Sequence, residues 1–368
     1  MTINHVHYKN FRNIVDDILG LDGGLNILYG ENAQGKTNAL EGIYLSSSGR
    51  SHRTPRERDF IRHGEEFSSI TVEFSNLRRI NRLDLRYLKN GKKNCALNTV
   101  PIARMSEFVG NLQAVFFYPE HLDIVRGGPG ERRNFLDGAI SQLDRAYMTT
   151  LREYYATLEQ RNKLMATSYR NPEAFESTID VWNEQLATHA AVISQKRTAY
   201  VEKLLGNLVE ILLEMSGGQE RIHVEYEGLP NKEAYLEQFT KNLEREQRAG
   251  VTLFGIHRED FEITLFPRSK NESYSARRFA SQGQQRSVAI ALKLAEGQIC
   301  CEMSGESPVY LLDDVMSELD SNRRGYMLKG IEGAQVIVTC SDAEFALLKQ
   351  QGHLANAKCV SVEGGVFG

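Results

Sequence analysis

The stretch LNILYGENAQGKTNALEGIYL (25–45) constrains this chain more than any other. It carries G-x-x-x-x-G-K-[ST] as Gly30, Gly35, Lys36 and Thr37. In a sequence of this size, ordinary residue frequencies produce that pattern by chance roughly one time in a hundred. Its setting adds weight. An apolar run, LNILY, precedes the loop, and Leu40, Ile43 and Tyr44 follow at helical spacing. Strand, glycine-rich loop and helix in that order form a phosphate cradle. The glycines let the backbone turn tightly enough for its N–H groups to surround phosphate oxygens. The helix N-terminus adds partial positive charge. All of 30–37 is expected to hold nucleotide: Gly30, Glu31, Asn32, Ala33, Gln34, Gly35, Lys36 and Thr37. Lys36 is expected between the β- and γ-phosphates and the Thr37 hydroxyl on Mg²⁺, so ATP and Mg²⁺ are the expected ligands.

A second strand supplies acids. In PVYLLDDVMSELD (308–320), Asp313 and Asp314 follow four apolar residues. A carboxylate at the C-terminal end of a buried strand lies where open α/β sheets bind ligands. Asp313 is expected to hold Mg²⁺ through water, and Asp314 to orient or deprotonate an attacking water. An acidic loop capping the next helix is the lesser reading of the pair, and the phosphate loop weighs further against it.

The chain has 368 residues, enough for two or three domains. No apolar run is long enough for a membrane helix, and the N-terminus lacks a secretory apolar core. Five scattered cysteines, none in C-x-x-C spacing, read as reduced thiols rather than a zinc site, with Cys300 and Cys301 in a helical core. A soluble cytoplasmic protein is expected. The formal net charge of −4 argues against coating nucleic acid by bulk charge.

The first 120 residues read as strands and short helices. SSITVEFSNL alternates, and Asn90-Gly91 marks a two-residue hairpin turn because both positions tolerate positive φ. LQAVFFY, IHVEYEG, PVYLLDD and AQVIVTC read as further strands. Between them, apolar residues from Leu136 to Leu158 and from Ile179 to Met215 recur at helical spacing. They predict two helices of roughly 35 residues, about 50 Å each, in an antiparallel hairpin. The second should stop at Ser216-Gly217-Gly218. The expected fold class is α/β. The expected division is a discontinuous head (1–120 and 220–368) with a helical arm (121–219) inserted.

GENAQGKT, SQGQQ, YLLDDVMSELD and VIVTCSD, in that order, resemble the ABC-type ATPase heads of SMC-like proteins. YKNFRN, GRSHRT, YPEHLDIVRGGPGERRNFLD and GIHREDFEI, with the chain length, make the RecF recombination and repair family the nearer resemblance, from Tyr8 to about Asp342. It implies an ABC-type P-loop ATPase head of two lobes with an inserted helical-hairpin domain. It further implies weak, DNA-dependent ATP hydrolysis, an ATP-dependent homodimer on gapped or single-strand/duplex DNA junctions, recombinase loading, association with the nucleoid, and RecO and RecR as partners. SQGQQ falls on the signature motif. The resemblance therefore implies that Ser281, Gly283 and Gln285 close over the γ-phosphate held by another copy. Asp320 falls on the loop between subunits, and Arg12 and Asn13 on positions against adenine or ribose. An ABC transporter subunit, or another P-loop ATPase that does not act on DNA, is the alternative; the helical insertion argues against the transporter.

Three departures from that pattern stand out. Asp314 replaces the usual glutamate, a methylene shorter, which predicts slower hydrolysis. Ser341 replaces the usual histidine before Asp342, beside Thr339 and Cys340; a hydroxyl bonds phosphate but carries no imidazolium charge. The glutamine loop has no clear counterpart; Gln113 is a weak candidate, and a glutamine near a buried strand is as often a packed polar residue.

Two cationic stretches are candidates for DNA backbone contact. Arg78, Arg79, Arg82, Lys89, Lys92 and Lys93 cluster around one acid, Asp84; Arg50 and Arg53 belong to a second group. A solvated strand face would carry the same charges. Arg132 and Arg133, at the start of the arm, read as structural.

Overall fold

The computed structural model describes residues 1–268, 272–316, 319–350 and 356–368; Ser317 and Glu318 of the SELD stretch lie outside them. The chain forms two compact units, residues 1–121 with 286–368, and residues 122–285. The second unit runs on through residues 220–285 and takes in their three strands as well as the helices, whereas the arm expected from helical periodicity covered 121–219.

The first unit holds two six-stranded sheets. One is antiparallel, in the order Ile14–Gly20, Thr2–Phe11, Phe67–Ser75, Ile80–Leu88, Lys93–Leu97 and Val100–Ile102. Its alternation is strict: Ile70, Val72 and Phe74 face the core with Leu83, Leu85 and Tyr87. The turn at Asn90 differs from expectation. Leu88 N–H bonds Lys92 O, Gly91 N–H bonds Leu88 O, and only Gly91 has positive φ (82°). The connection is a three-residue turn with a bulge, and Asn90 Oδ1 accepts from Lys92 N–H instead of taking a left-handed backbone.

The other sheet runs Val366–Phe367, Lys358–Glu363, Leu25–Tyr29, Val336–Cys340, Val309–Leu312 and Ala114–Phe117. All pairings are parallel except the first, a hairpin. Its central strands are buried on both faces, which is why they read as unbroken apolar runs. The helix Lys36–Ser48 follows the Leu25–Tyr29 strand and packs against both sheets. Gly42 allows this approach: a Cβ there would meet the Tyr8 ring at 2.5 Å, and Tyr8 Oη donates to Ala39 O at 2.7 Å.

The second unit contains the helices Pro129–Leu143, Arg145–Thr167 and Pro172–Met215, and a three-stranded antiparallel sheet, Tyr274–Ser275, Phe261–Pro267 and Glu220–Tyr226. The expected first helix is broken. Asp144 leaves the helix (φ −135°, ψ 102°) and its carboxylate caps the next one through Tyr147 N–H at 2.9 Å. A capping side chain outcompetes an apolar period that would carry the helix on. The second helix is longer than expected, 44 residues, and ends at Gly217 and Gly218, both at positive φ, with Gly218 N–H on Leu213 O. Cations tie the unit together, Arg161 and Arg132 buried and Arg133 half-buried. Arg161 meets Glu246, Asn183 and Thr252; Arg132 forks onto Asp260; Arg133 donates to Glu259 O. Arg132 and Arg133 are thus structural, as read. His257 Nδ1 lies 2.7 Å from Tyr154 Oη, and its Nε2 lies 3.2 Å from Thr252 O. Because a carbonyl only accepts, the proton sits on Nε2.

Candidate nucleotide site

At the C-terminal ends of the parallel strands a cleft of about 470 Å³ opens, lined by Asn32, Ala33, Gly35, Lys36, Thr37, Asp313 and Asp314 among others. The loop geometry explains its sequence. Gly30 and Gly35 have φ of 151° and 115°, and a Cβ on Gly30 would fall on the Val362 carbonyl. Ala33 is also left-handed (φ 65°), a strain that non-glycine residues adopt where surrounding structure enforces it. Lys36 is buried and donates to Gly30 O (2.7 Å) and Glu31 O (2.8 Å), which holds its ammonium across the mouth of the loop.

Asp313 sits on the neighbouring strand end. Its Oδ1 accepts from Thr37 Oγ1 (3.0 Å) and Thr339 Oγ1 (2.8 Å). Burial pushes its pKa up to about 6; the two hydroxyls oppose that rise and Asp314 adds to it. Asp314 has positive φ (51°) and its N–H bonds Thr339 Oγ1 at 3.0 Å. Partial desolvation raises its pKa, Lys36 lowers it and Glu344 raises it. Both acids and both loop residues expected from sequence therefore converge. Thr339, expected beside the switch, instead organises the two carboxylates.

The donor set fits Mg²⁺. Among the described residues no group of three or more His, Cys, Asp or Glu side chains gathers to cage a metal. Mg²⁺ bound with a nucleotide needs no such cage, because phosphate oxygens and waters fill most of its octahedron. A threonine hydroxyl 3.0 Å from a carboxylate that resists ionisation when alone is the pair such an ion would occupy.

The remaining expected residues have these placements. Asn13 Nδ2 donates to Gln34 O (2.9 Å) and Asn13 Oδ1 accepts from Asn38 (2.8 Å), so Asn13 braces the loop. Arg12 forks onto the fully buried Glu41, at 2.9 and 2.7 Å. Arg53 lines the cleft and donates to Asn38 Oδ1. Gln113 lies at the N-terminal end of its strand, where it accepts from Cys300 Sγ; the residues that reach the cleft beyond that strand are Pro119 and Glu120. Ser341 caps the helix Asp342–Gln350 reciprocally with Glu344, so its hydroxyl already has a partner.

In the second unit, Ser281 begins the helix Gln282–Ser304 with a capping box of its own. Gln284 N–H donates to Ser281 Oγ (3.2 Å) and Ser281 N–H to Gln284 Oε1 (2.8 Å). Gln284, not marked by sequence reasoning, also bonds Glu220 and Tyr274, while Gln285 bonds Ala276 O and, at the limit of reach, Arg277 O. Gly283 sits in the first turn. In the first unit, Asp320 caps the helix Ser321–Gly330 through Arg323 N–H (2.9 Å).

Of the cationic candidates, Arg78 and Arg79 lie on the turn held by Asn76. Arg82 forks onto Asp84, Lys89 meets Glu66 and Lys93 meets Glu57; Arg50 and Lys92 are exposed. Exposed pairs of this kind contribute little and exchange readily for other anions.

The family model described as RecF/RecN/SMC N terminal domain matches residues 2–356. The DNA replication and repair protein RecF of Agathobacter rectalis is 37% identical over 93% of this chain and 92% of its own length. That of Clostridium botulinum is 38% identical over 94% and 93%. A solved structure of the recombination mediator protein RecF with ATP superposes with a TM-score of 0.88 at 33% identity, covering 100% of this chain and 97% of that one. The Smc head of Pyrococcus furiosus, at a TM-score of 0.56 and 18% identity, shares the fold. The chain belongs to the RecF family of DNA replication and repair proteins.

Proposed function

We propose that this chain is an ATP-dependent DNA-binding protein of recombinational repair and replication restart, with slow ATP hydrolysis. The observation that carries the reading is the convergence of a strained phosphate loop, Lys36, Thr37 and two carboxylates of raised pKa on one cleft. Relatives aligned over nearly the whole chain are replication and repair proteins, so the transporter alternative is set aside.

In this reading the loop N–H groups and Lys36 hold the β- and γ-phosphates. Thr37 and Asp313 hold Mg²⁺, which when bound neutralises developing phosphate charge. Asp314 orients the attacking water; its side chain is a methylene shorter than a glutamate's and sets the carboxylate farther from that water, consistent with slow turnover. Ser281 and Gly283, at the N-terminus of a 23-residue helix, offer a second anion site for the γ-phosphate of another copy. ATP then drives a homodimer in which Asp320 lies near the shared sites, while Arg12 and Asn13, which the resemblance places against the nucleoside, serve the site through Glu41 and through Gln34 of the loop. DNA is met at its backbone by Arg50, Arg53, Arg78, Arg79, Arg82, Lys89, Lys92 and Lys93, at gapped or single-strand/duplex junctions, with RecO and RecR as partners. No helix among the described residues is long and apolar enough to cross a membrane, and we place the protein in the cytoplasm on the nucleoid.

Sedimentation with and without ATP and Mg²⁺, alongside DNA binding, tests this. The native chain should dimerise with ATP and bind junction DNA more tightly. Lys36→Met should lose ATP binding, and Ser281→Arg should bind ATP yet stay monomeric. A native chain that stays monomeric in saturating ATP, on and off DNA, overturns the mechanism.

A further inference from the structure

The last two strands reach the phosphate loop directly. Gln34 O accepts two hydrogen bonds, from Asn13 Nδ2 (2.9 Å) and from Gly365 N–H (2.8 Å). Gln34 Oε1 accepts a third, from Gly364 N–H at 2.6 Å. On the other side of the loop, Val362 O occupies the space a Gly30 Cβ would need. The hairpin is itself well anchored. Val360 pairs with Leu28 in the parallel sheet, Phe367 N–H donates to Asp17 (2.6 Å), and the Phe367 ring packs on Tyr8.

These contacts have a geometric consequence. In a planar trans peptide, the carbonyl of one residue and the N–H of the next point in opposite directions. Gly365 N–H from the hairpin and Asn13 Nδ2 from the turn between the first two strands together hold Gln34 O, and so turn the Gly35 N–H away from them. That N–H is one of those a phosphate cradle needs, beside the cleft-lining Lys36 and Thr37. Gly364 and Gly365, with φ of 58° and 84°, supply the turn that brings both N–H groups to Gln34. A Cβ on Gly365 would also lie 2.7 Å from Asn13 O.

We propose that the hairpin Lys358–Phe367 is a positioning element of the nucleotide site, acting through Gln34 to fix the Gly35 N–H toward the phosphates. The proposal rests on the nucleotide reading above and adds residues outside the loop, strand and signature motifs to it. Gln34, Gly364 and Gly365 are positioning residues. Their loss costs phosphate affinity and leaves the chemistry of bound ATP intact.

The test uses the full chain with ATP and Mg²⁺. Gln34→Met keeps the length of the side chain and removes the acceptor for Gly364. It should weaken ATP binding and raise KM by about three- to tenfold, the range of one hydrogen bond, with kcat at saturating ATP within about twofold and the unliganded melting temperature unchanged. Gly365→Val keeps the N–H but cannot hold φ 84° and drives its Cβ onto Asn13 O, which displaces that N–H from Gln34 O, so it should weaken binding by more than about tenfold. If Gly365→Val does not fold, Gln34→Met decides alone. ATP binding by Gln34→Met within twofold of native overturns the proposal. So does a fall in its melting temperature without a change in KM, which marks a structural contact only. A native chain that binds no ATP overturns the nucleotide reading instead, and is distinguished by that control.

Discussion

Replacing Arg12 by methionine asks what that guanidinium is for. Family resemblance assigns it to adenine or ribose, whereas the structure joins it by two bonds to Glu41, a carboxylate with no exposed surface. Removing one partner of a buried ion pair costs about 3–5 kcal/mol, because the other charge stays buried and unpaired. Glu41 would keep the Ser51 hydroxyl at 2.5 Å and Arg53 at 3.6 Å, the latter half-exposed. Those partners recover about 1 kcal/mol, which leaves about 2–4 kcal/mol. For a unit of this size each kcal/mol moves the melting temperature by about 2–4 °C, so Arg12→Met should melt about 4–16 °C lower. The single tryptophan, Trp182, lies in the other unit and is blind to the change. Calorimetry, with hydrogen exchange in the helix Lys36–Ser48, is the suitable assay. Arg12→Met with Glu41→Gln should recover at least half of the loss, since no charge is then stranded. A single variant that melts within about 2 °C of native but binds ATP poorly would refute this reasoning and return Arg12 to the nucleotide.

Three further outcomes are expected. Gly30→Ala places a Cβ on the Val362 carbonyl at φ 151°, so it should abolish measurable ATP binding by calorimetric titration while circular dichroism stays native. Burial pushes the His257 pKa down to about 4. The unfolded chain takes up a proton below about pH 6.5 and the folded unit does not. Stability is therefore fully present above pH 6.5 and is lost as pH falls toward 4; urea midpoints followed by Trp182 fluorescence should show this slope, and His257→Gln should flatten it. Among the cysteines, Cys359 is exposed whereas Cys95, Cys300 and Cys340 are buried with thiol pKa values raised by burial. A thiol reagent should label Cys359 in the native chain, and reach those three only after denaturation.

The phosphate loop, its strand and its helix were legible because each glycine, Lys36 and Thr37 meets a separate physical demand at a fixed spacing. The buried strands read correctly for the same reason: parallel strands covered on both faces leave an apolar run. What escaped notice depended on pairing across distance. Nothing local in Arg12 announces Glu41, and nothing in Thr339 announces its bond to Asp313. The break at Asp144 was visible in principle, since an aspartate before a fresh apolar period is a cap signal, but the periodicity on either side is in phase. The final hairpin had a local signal too, Gly364-Gly365 between two short apolar runs. Its functional meaning, a bond to Gln34, was not local. Asn90 shows the opposite failure: a strong turn signal was right about the turn and wrong about its backbone.

The strand that leads into the phosphate loop is flanked on both sides by strands from the far end of the sequence, with Asn26 bonded to Val336 across 310 positions. A chain made from its N-terminus therefore exposes Leu25–Tyr29 long before its neighbours exist. During synthesis at about 5–20 residues per second, that apolar strand waits on the order of tens of seconds with two unpaired edges. The unit at 122–285 is continuous in sequence and can condense in that interval. By doing so it shortens the effective loop the later strands must close, and with it the entropic cost of closure. An inserted domain of this kind serves the ATPase head before any nucleotide arrives, as a folding bridge between its two halves.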